Sequence, residues 1–170
     1  MLKHQLIIMR HAKSDWREGD RSDFDRPLTK RGRKAAQQMG QWLKQQHYRI
    51  DHILCSPALR AKQTCQGILE QLDLTRKSVL WESRIYEASL PDLIALINQY
   101  GEGIHTLLII GHNPGLDQLL CHLAKEPPPV SKSGKLLTTA ALAVLDYGAA
   151  AISAKAHQAQ IQCLIRPKEL

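Results

Sequence analysis

Aromatic side chains are scarce in this chain: Phe, Trp and Tyr make up 5% of its 170 residues, with a single Phe. Stacking platforms for nucleic-acid bases would be correspondingly few, and no helix-turn-helix, zinc-finger or RNA-binding signature takes their place. Nucleic acid is therefore not the expected partner. Long apolar runs are also missing. None approaches the ~20 residues that a membrane helix needs, so no membrane association is expected. Met1-Leu2-Lys3-His4 leads directly into a strand-like segment, without the apolar stretch and small-residue cleavage site of a secretory signal. A cytoplasmic protein is expected.

Several catalytic signatures are absent as well. No Walker A sequence is present, which argues against a P-loop nucleotidase. Gly111-His112-Asn113-Pro114-Gly115 has no central Ser for a nucleophile elbow. Cys55-Ser56-Pro57-Ala58-Leu59-Arg60 places four residues between cysteine and arginine, one fewer than a cysteine-phosphatase loop requires, and Cys55 lies within a strand pattern. The eight His show no ligand-like spacing on a common element, so neither metal nor cofactor is expected. Cys55, Cys65, Cys121 and Cys163 form no Cys-x-x-Cys pair and sit in apolar patterns. Buried free thiols in a reducing compartment account for them better than disulfides.

What is present describes one domain spanning residues 1–170, with 44% apolar and 23% charged residues, near globular averages. The net charge of +7 suits an anionic partner. Apolar runs at 5–9, 52–56, 78–82 and 106–110 read as strands, and 141–147 and 160–165 as closing strands. Between them lie helix-period stripes. One is Ala35, Ala36, Met39, Trp42 and Leu43 behind a Thr29 cap, and a second is Ala61, Cys65, Ile68, Leu69 and Leu72 behind Ser56-Pro57. Ser89 with Asp92 opens a third over Leu93, Ile94 and Ile97, and Asn113-Pro114 a fourth over Leu116, Leu119, Leu120 and Leu123.

This alternation predicts a three-layer α/β/α domain, its mostly parallel sheet covered by helices on both faces. Ligands then bind beyond the carboxyl ends of the strands. Residues 12–28, 17 in all, have no clear period and read as a functional or mobile loop, with a lid as one role. Residues 125–135, with three consecutive Pro, read as a surface excursion.

Three strand ends carry the chemistry: Arg10-His11 after the first, Arg60 one turn beyond the second, and His112 after the fourth. Arg60 in a helix's first turn opposes the helix dipole, a conflict that a bound anion would relieve. No carboxylate neighbours any of these four residues in sequence. Two arginines and two histidines converging on one sheet edge suit a tetrahedral phosphoryl group.

Arg10-His11-Ala12 resembles the signature of the histidine phosphatase superfamily, in which Gly usually stands at the third position. The segments Asp25-Arg26-Pro27-Leu28-Thr29-Lys30-Arg31-Gly32, Ser56-Pro57-Ala58-Leu59-Arg60-Ala61-Lys62-Gln63-Thr64 and Gly111-His112-Asn113-Pro114 are similar to its later motifs, in the same order. The likeness spans nearly the whole chain and points to the short, SixA-type branch of phosphohistidine phosphatases, with a phosphoglycerate mutase-like fold. It implies that His11 is the nucleophile and that Arg10, Arg60 and His112 bind the phosphate. Glu87, in Ile85-Tyr86-Glu87-Ala88, falls where relatives carry an acidic proton donor.

The expected activity is a metal-independent phosphohydrolase acting through phosphohistidine, on phosphohistidine carried by a protein. Hydrolysis of small phosphate monoesters is the alternative within chemistry, and a phosphoprotein-binding module the alternative outside it. If position 12 needed φ > 0, Ala12 would cost about 1 kcal/mol.

Overall fold

The strand and helix signals become six strands and four α-helices in the computed structural model, which describes residues 2–16, 19 and 21–170. In chain order they are β1 (His4–Arg10), α1 (Lys30–Gln45), β2 (His52–Cys55), α2 (Leu59–Leu72), β3 (Val79–Trp81), α3 (Leu90–Tyr100), β4 (Thr106–Gly111), α4 (Gly115–Leu123), β5 (Leu142–Gly148) and β6 (Gln160–Ile165). The strands form one sheet in the order β3-β2-β4-β1-β5-β6. β1 to β4 run parallel, while β5 is antiparallel to both β1 and β6.

Period-two alternation divides each central strand between two cores. Leu6 and Ile8 of β1, Leu107 and Ile109 of β4 and Leu145 of β5 pack with Leu93, Leu96 and Ile97 of α3 and Leu116, Leu119 and Leu120 of α4. Ile7 and Met9, Ile53 and Cys55, and Leu108 and Ile110 turn to the other face, against Ala36, Met39 and Leu43 of α1 and Cys65 and Ile68 of α2. Each fully buried Leu or Ile contributes roughly 1.5–3 kcal/mol, so both faces hold the sheet. The helices flank β4 and β1 on opposite sides, which leaves the carboxyl ends of β1, β2 and β4 open to a common space.

Local signals explain most boundaries. Thr29 Oγ1 accepts the Gly32 N–H at 2.9 Å and starts α1. Ser89 and Asp92 form a reciprocal capping box at α3. The Ser56 cap expected for α2 does not form: the helix begins at Leu59, with no side-chain cap at Ala58. Ser56 instead continues the sheet, its N–H donating to Ile110 O at 3.1 Å. Its hydroxyl accepts the Ala58 N–H at 3.2 Å and remains on the strand-end side.

All four cysteines are free; Cys55 and Cys65 are buried as expected, but Cys163 is only partly buried and Cys121 is exposed on α4. In the 12–28 loop, a short 3₁₀ turn at Asp23–Asp25 and an isolated Ser14–Leu28 bridge give it structure. Arg17, Glu18 and Asp20, part of that loop, lie outside the described residues. Among the described residues, no helix is long and apolar enough to cross a membrane.

Candidate active site

Sheet pairing aligns the strand ends. Arg10 is opposite Gly111 and Cys55 opposite Ile110, so the residues that follow each strand leave the sheet at one level. His11 N–H donates to Gly111 O at 3.0 Å, and His11 O accepts from Ala140 N–H at 3.0 Å. These bonds fix the histidine backbone between two loops.

The His11 ring is 7% exposed, and its Nδ1 lies 2.7 Å from Ala12 O. A carbonyl only accepts, so Nδ1 carries the proton and Nε2 is bare. Burial lowers the pKa of His11 to about 3; the Ala12 carbonyl opposes this, while His112, Arg60 and Arg10 add to it. The imidazole is neutral throughout the physiological range. Ala12 is fully buried at an ordinary negative φ, so Ala in place of Gly brings no strain there.

His112 stands beside it, with ring centroids 5.1 Å apart. Its Nε2 is 2.7 Å from Ser56 Oγ, and its buried Nδ1 has no protein partner. Burial, followed by the charge of Arg60, lowers its pKa to about 4, with Asp23 opposing. Arg10 donates from Nη1 to Leu137 O at 3.1 Å. Thr64 Oγ1 donates to Arg60 O at 2.7 Å and accepts the Ala12 N–H at 2.9 Å. One hydroxyl thereby joins the helix that carries Arg60 to the loop that follows His11.

Arg60 is 6% exposed and has an acidic partner that is remote in sequence, Asp23. It donates from Nη1 to Asp23 O at 2.7 Å and from Nη2 to Asp23 Oδ2 at 3.1 Å. The same Oδ2 accepts from Tyr86 Oη at 2.6 Å, and Oδ1 accepts from Arg26 Nη2 at 3.1 Å. Asp23 is held at about 2, first by the Tyr86 bond and then by Arg26 and Arg60, while Tyr86 is pushed up to about 12 by Asp23. Arg26 also donates to Ser14 Oγ and lies over the Trp16 ring, 3.5 Å from its centroid. The 12–28 loop thus reaches the strand ends and places a carboxylate on Arg60.

The backbone permits this approach at one glycine. A Cβ on Gly32 would lie 2.2 Å from Lys13 O, the carbonyl that also accepts the Thr29 N–H at 2.9 Å. Only glycine lets the start of α1 press against the segment that follows His11.

These groups surround a cavity of about 400 Å³ lined by Arg10, His11, Arg60 and His112, together with Ser14, Trp16, Asp23, Arg26 and Asn113. The structure therefore brings four of the five expected residues together. Glu87 is exposed at φ 56° and is not among the lining residues. Its neighbour Tyr86 faces the site instead, edge-on to His112 at 5.5 Å between centroids. Sequence reasoning missed Asp23, Tyr86 and Ser56. The aperiodic loop was the only signal for Asp23, and proximity to Glu87 the only one for Tyr86. Among the described residues, no group of three or more His, Cys, Asp or Glu is placed to hold a metal ion.

Comparison with known proteins agrees with this geometry. The sequence model of the Histidine phosphatase superfamily (branch 1) matches residues 6–93. Phosphohistidine phosphatase SixA of Escherichia coli K12 is 33% identical over 150 residues, covering 82% of this chain and 83% of that protein. The SixA homolog of Haemophilus influenzae is 31% identical over 136 residues, covering 74% and 80%. The solved structure of the protein histidine phosphatase SixA complexed with tungstate superposes with a TM-score of 0.80 at 28% identity, covering 97% of this chain and 98% of that one. The chain belongs to the histidine phosphatase superfamily, in its short SixA-type branch, and is a phosphatase.

Proposed function

We propose that this phosphatase removes phosphate from phosphohistidine carried by a protein, through a covalent intermediate on His11. The observation that carries the mechanism is the 2.7 Å bond from His11 Nδ1 to Ala12 O, which leaves a neutral ring with Nε2 available beside Arg10, Arg60 and His112.

Nε2 attacks phosphorus as the bond to the substrate's imidazole breaks. The leaving group departs as neutral imidazole when its other nitrogen carries a proton. Arg10 and Arg60 hold the non-bridging oxygens, and His112 donates to them from Nδ1, its nitrogen without a protein partner. Water then attacks the phosphoryl group on His11. Both of its protons leave with H₂PO₄⁻, and the ring returns to its neutral Nδ1–H form. The cationic groups supply the charge stabilisation, so no metal enters the scheme.

The SixA relatives, named for phosphohistidine, support this substrate class. So does the exposed Glu87, because imidazole is a good leaving group and needs no strong proton donor, whereas an alkoxide does. Brief incubation with a phosphohistidine protein should label His11 with acid-labile, base-stable phosphate. Normal turnover by His11→Ala would sink the mechanism. A panel of sugar phosphates, assayed with and without Glu87→Gln, separates the substrates. Phosphohistidine cleavage should change less than about twofold in that variant, and turnover of sugar phosphates alone would overturn the assignment.

A further inference from the structure

Next to the catalytic cavity lies a larger groove of about 950 Å³, and the two share Arg10, Lys13 and Thr139 in their walls. Its other walls come from the N-terminal half of α1, the 131–139 loop and the 3₁₀ turn Pro167–Glu169. Six cations line it: Lys13, Arg31, Lys34, Lys132, Lys135 and Lys168, all exposed. Among the described lining residues Glu169 is the only acidic one, and it is bound to Arg166 at 3.0 Å. Arg166 is itself buried, bonding to the carbonyls of Pro129, Lys135 and Leu136. It builds the wall. Among the described residues, none of the six exposed cations has a side-chain hydrogen-bond or ion-pair partner.

Such a cluster is unfavourable in isolation. Like charges gathered on one concave surface repel one another, and α1 starts with Lys30, Arg31, Arg33 and Lys34 and no acid in its first turn, against the helix dipole. Stability alone gives no return for this arrangement, so a polyanionic occupant is the consistent account. No aromatic side chain lines the groove, which removes the stacking that single-stranded nucleic acid uses. Because the groove shares Arg10, Lys13 and Thr139 with the catalytic cavity, an occupant of the groove lies next to the group being dephosphorylated. Lysines, as flexible point charges, suit the variable carboxylates of a protein face better than one fixed small ligand.

We propose that this groove docks an acidic face of the phosphohistidine-bearing substrate protein, with Arg31, Lys34 and Lys132 as its outer contacts. The inference rests on the phosphohistidine reading and names the kind of partner that reading requires. Exposed charges of this type steer encounter and set salt dependence, while the cavity performs the chemistry.

The test compares wild type with the triple variant Arg31→Glu, Lys34→Glu, Lys132→Glu. A charge-matched control, Arg76→Glu, Lys77→Glu, Lys155→Glu, changes exposed residues outside the groove. Three substrates are used: phosphoramidate, a phosphohistidine protein with Asp and Glu ringing the modified histidine, and the same protein with those residues changed to Asn and Gln. The triple variant should lose roughly 10- to 100-fold in kcat/KM on the acidic protein, mostly through KM. It should change less than about twofold on phosphoramidate and on the neutralised protein, and the control less than about twofold throughout.

Equal loss on phosphoramidate would mean that the lysines shape the cavity, and would overturn the proposal. Unchanged kinetics on every substrate would reduce the groove to solvated surface. Single-stranded RNA binding that depends on the three residues, with phosphoprotein kinetics intact, would reassign it. Failure of wild type to cleave either phosphohistidine protein would remove the substrate reading itself, an outcome visible before any variant is made.

Discussion

The cations of the catalytic cavity and those of the adjacent groove share a sign and little else. Inside, Arg10 and Arg60 are tied to Leu137 O and to Asp23, and Arg60 is 6% exposed. Outside, six cations are exposed and, among the described residues, have no ion-pair or side-chain hydrogen-bond partner. A buried guanidinium is expensive to desolvate and gains from rigid geometry. An exposed ammonium holds no geometry and acts through its field, over about a Debye length of roughly 8 Å in physiological salt. In the proposed reading the inner set positions a phosphoryl group and the outer set attracts the protein that carries it.

The largest effect should come from keeping the inner charge while removing its geometry. Arg60→Lys is expected to lower kcat by roughly 10²- to 10³-fold, because a lysine cannot reproduce the two-pronged donor. Steady-state kinetics on phosphoramidate would show it. Lys34→Arg in the groove, by contrast, should leave kcat unchanged. Comparable losses from both swaps would erase the distinction between the two regions.

The next effect concerns protons. His11 and His112 have folded pKa values of about 3 and about 4, against an unfolded value near 6.5. Below pH ~6.5 the unfolded chain binds protons that these rings refuse when folded. Their contribution is therefore complete above neutrality and is lost as pH falls from 6.5 toward 4 and 3, at about 1.4 kcal/mol per pH unit for each histidine. Denaturant melts across that window would measure the slope. Ring-proton NMR should show neither histidine titrating between pH 5 and 8, and a midpoint above pH 6 for either would refute the burial argument.

The Asp23–Arg60 contact should give a smaller change. Asp23→Asn removes a half-exposed carboxylate from Arg60, Arg26 and Tyr86, so inorganic phosphate should inhibit roughly three- to tenfold more tightly, with solvent screening limiting the gain. The Tyr86 phenol should also titrate below its present value of about 12, nearer to 10. Weaker phosphate inhibition would mean that Asp23 orients Arg60 rather than competing for it.

Legibility from sequence followed chain periodicity. Arg10, His11, Arg60 and His112 sit at the ends of strands or at a helix start, and strong apolar patterns locate those ends. Asp23 reaches Arg60 from 37 residues away through a loop without a period, so no local rule pairs them. Tyr86 and Glu87 differ by one position, yet Tyr86 packs edge-on to His112 and donates to Asp23, while Glu87, at a left-handed φ of 56°, is exposed. Ser56 carried a valid capping signal, yet its N–H bond to Ile110 O kept it in the sheet and left its hydroxyl to His112. Hydrophobic alternation identified the last two strands but contains no direction, so the antiparallel course of β5 appeared only in the pairing.

Thr64 connects two parts of the chain that the motifs treat as separate. Its hydroxyl spans Arg60 O and the Ala12 N–H with bonds of 2.7 and 2.9 Å, so the distance between His11 and Arg60 is set inside the core rather than at the surface. The catalytic spacing is a property of the folded domain as a whole. Heat should not detune this enzyme gradually: inactivation and unfolding should share one midpoint, and an enzyme with Thr64→Val should lose turnover while still folded.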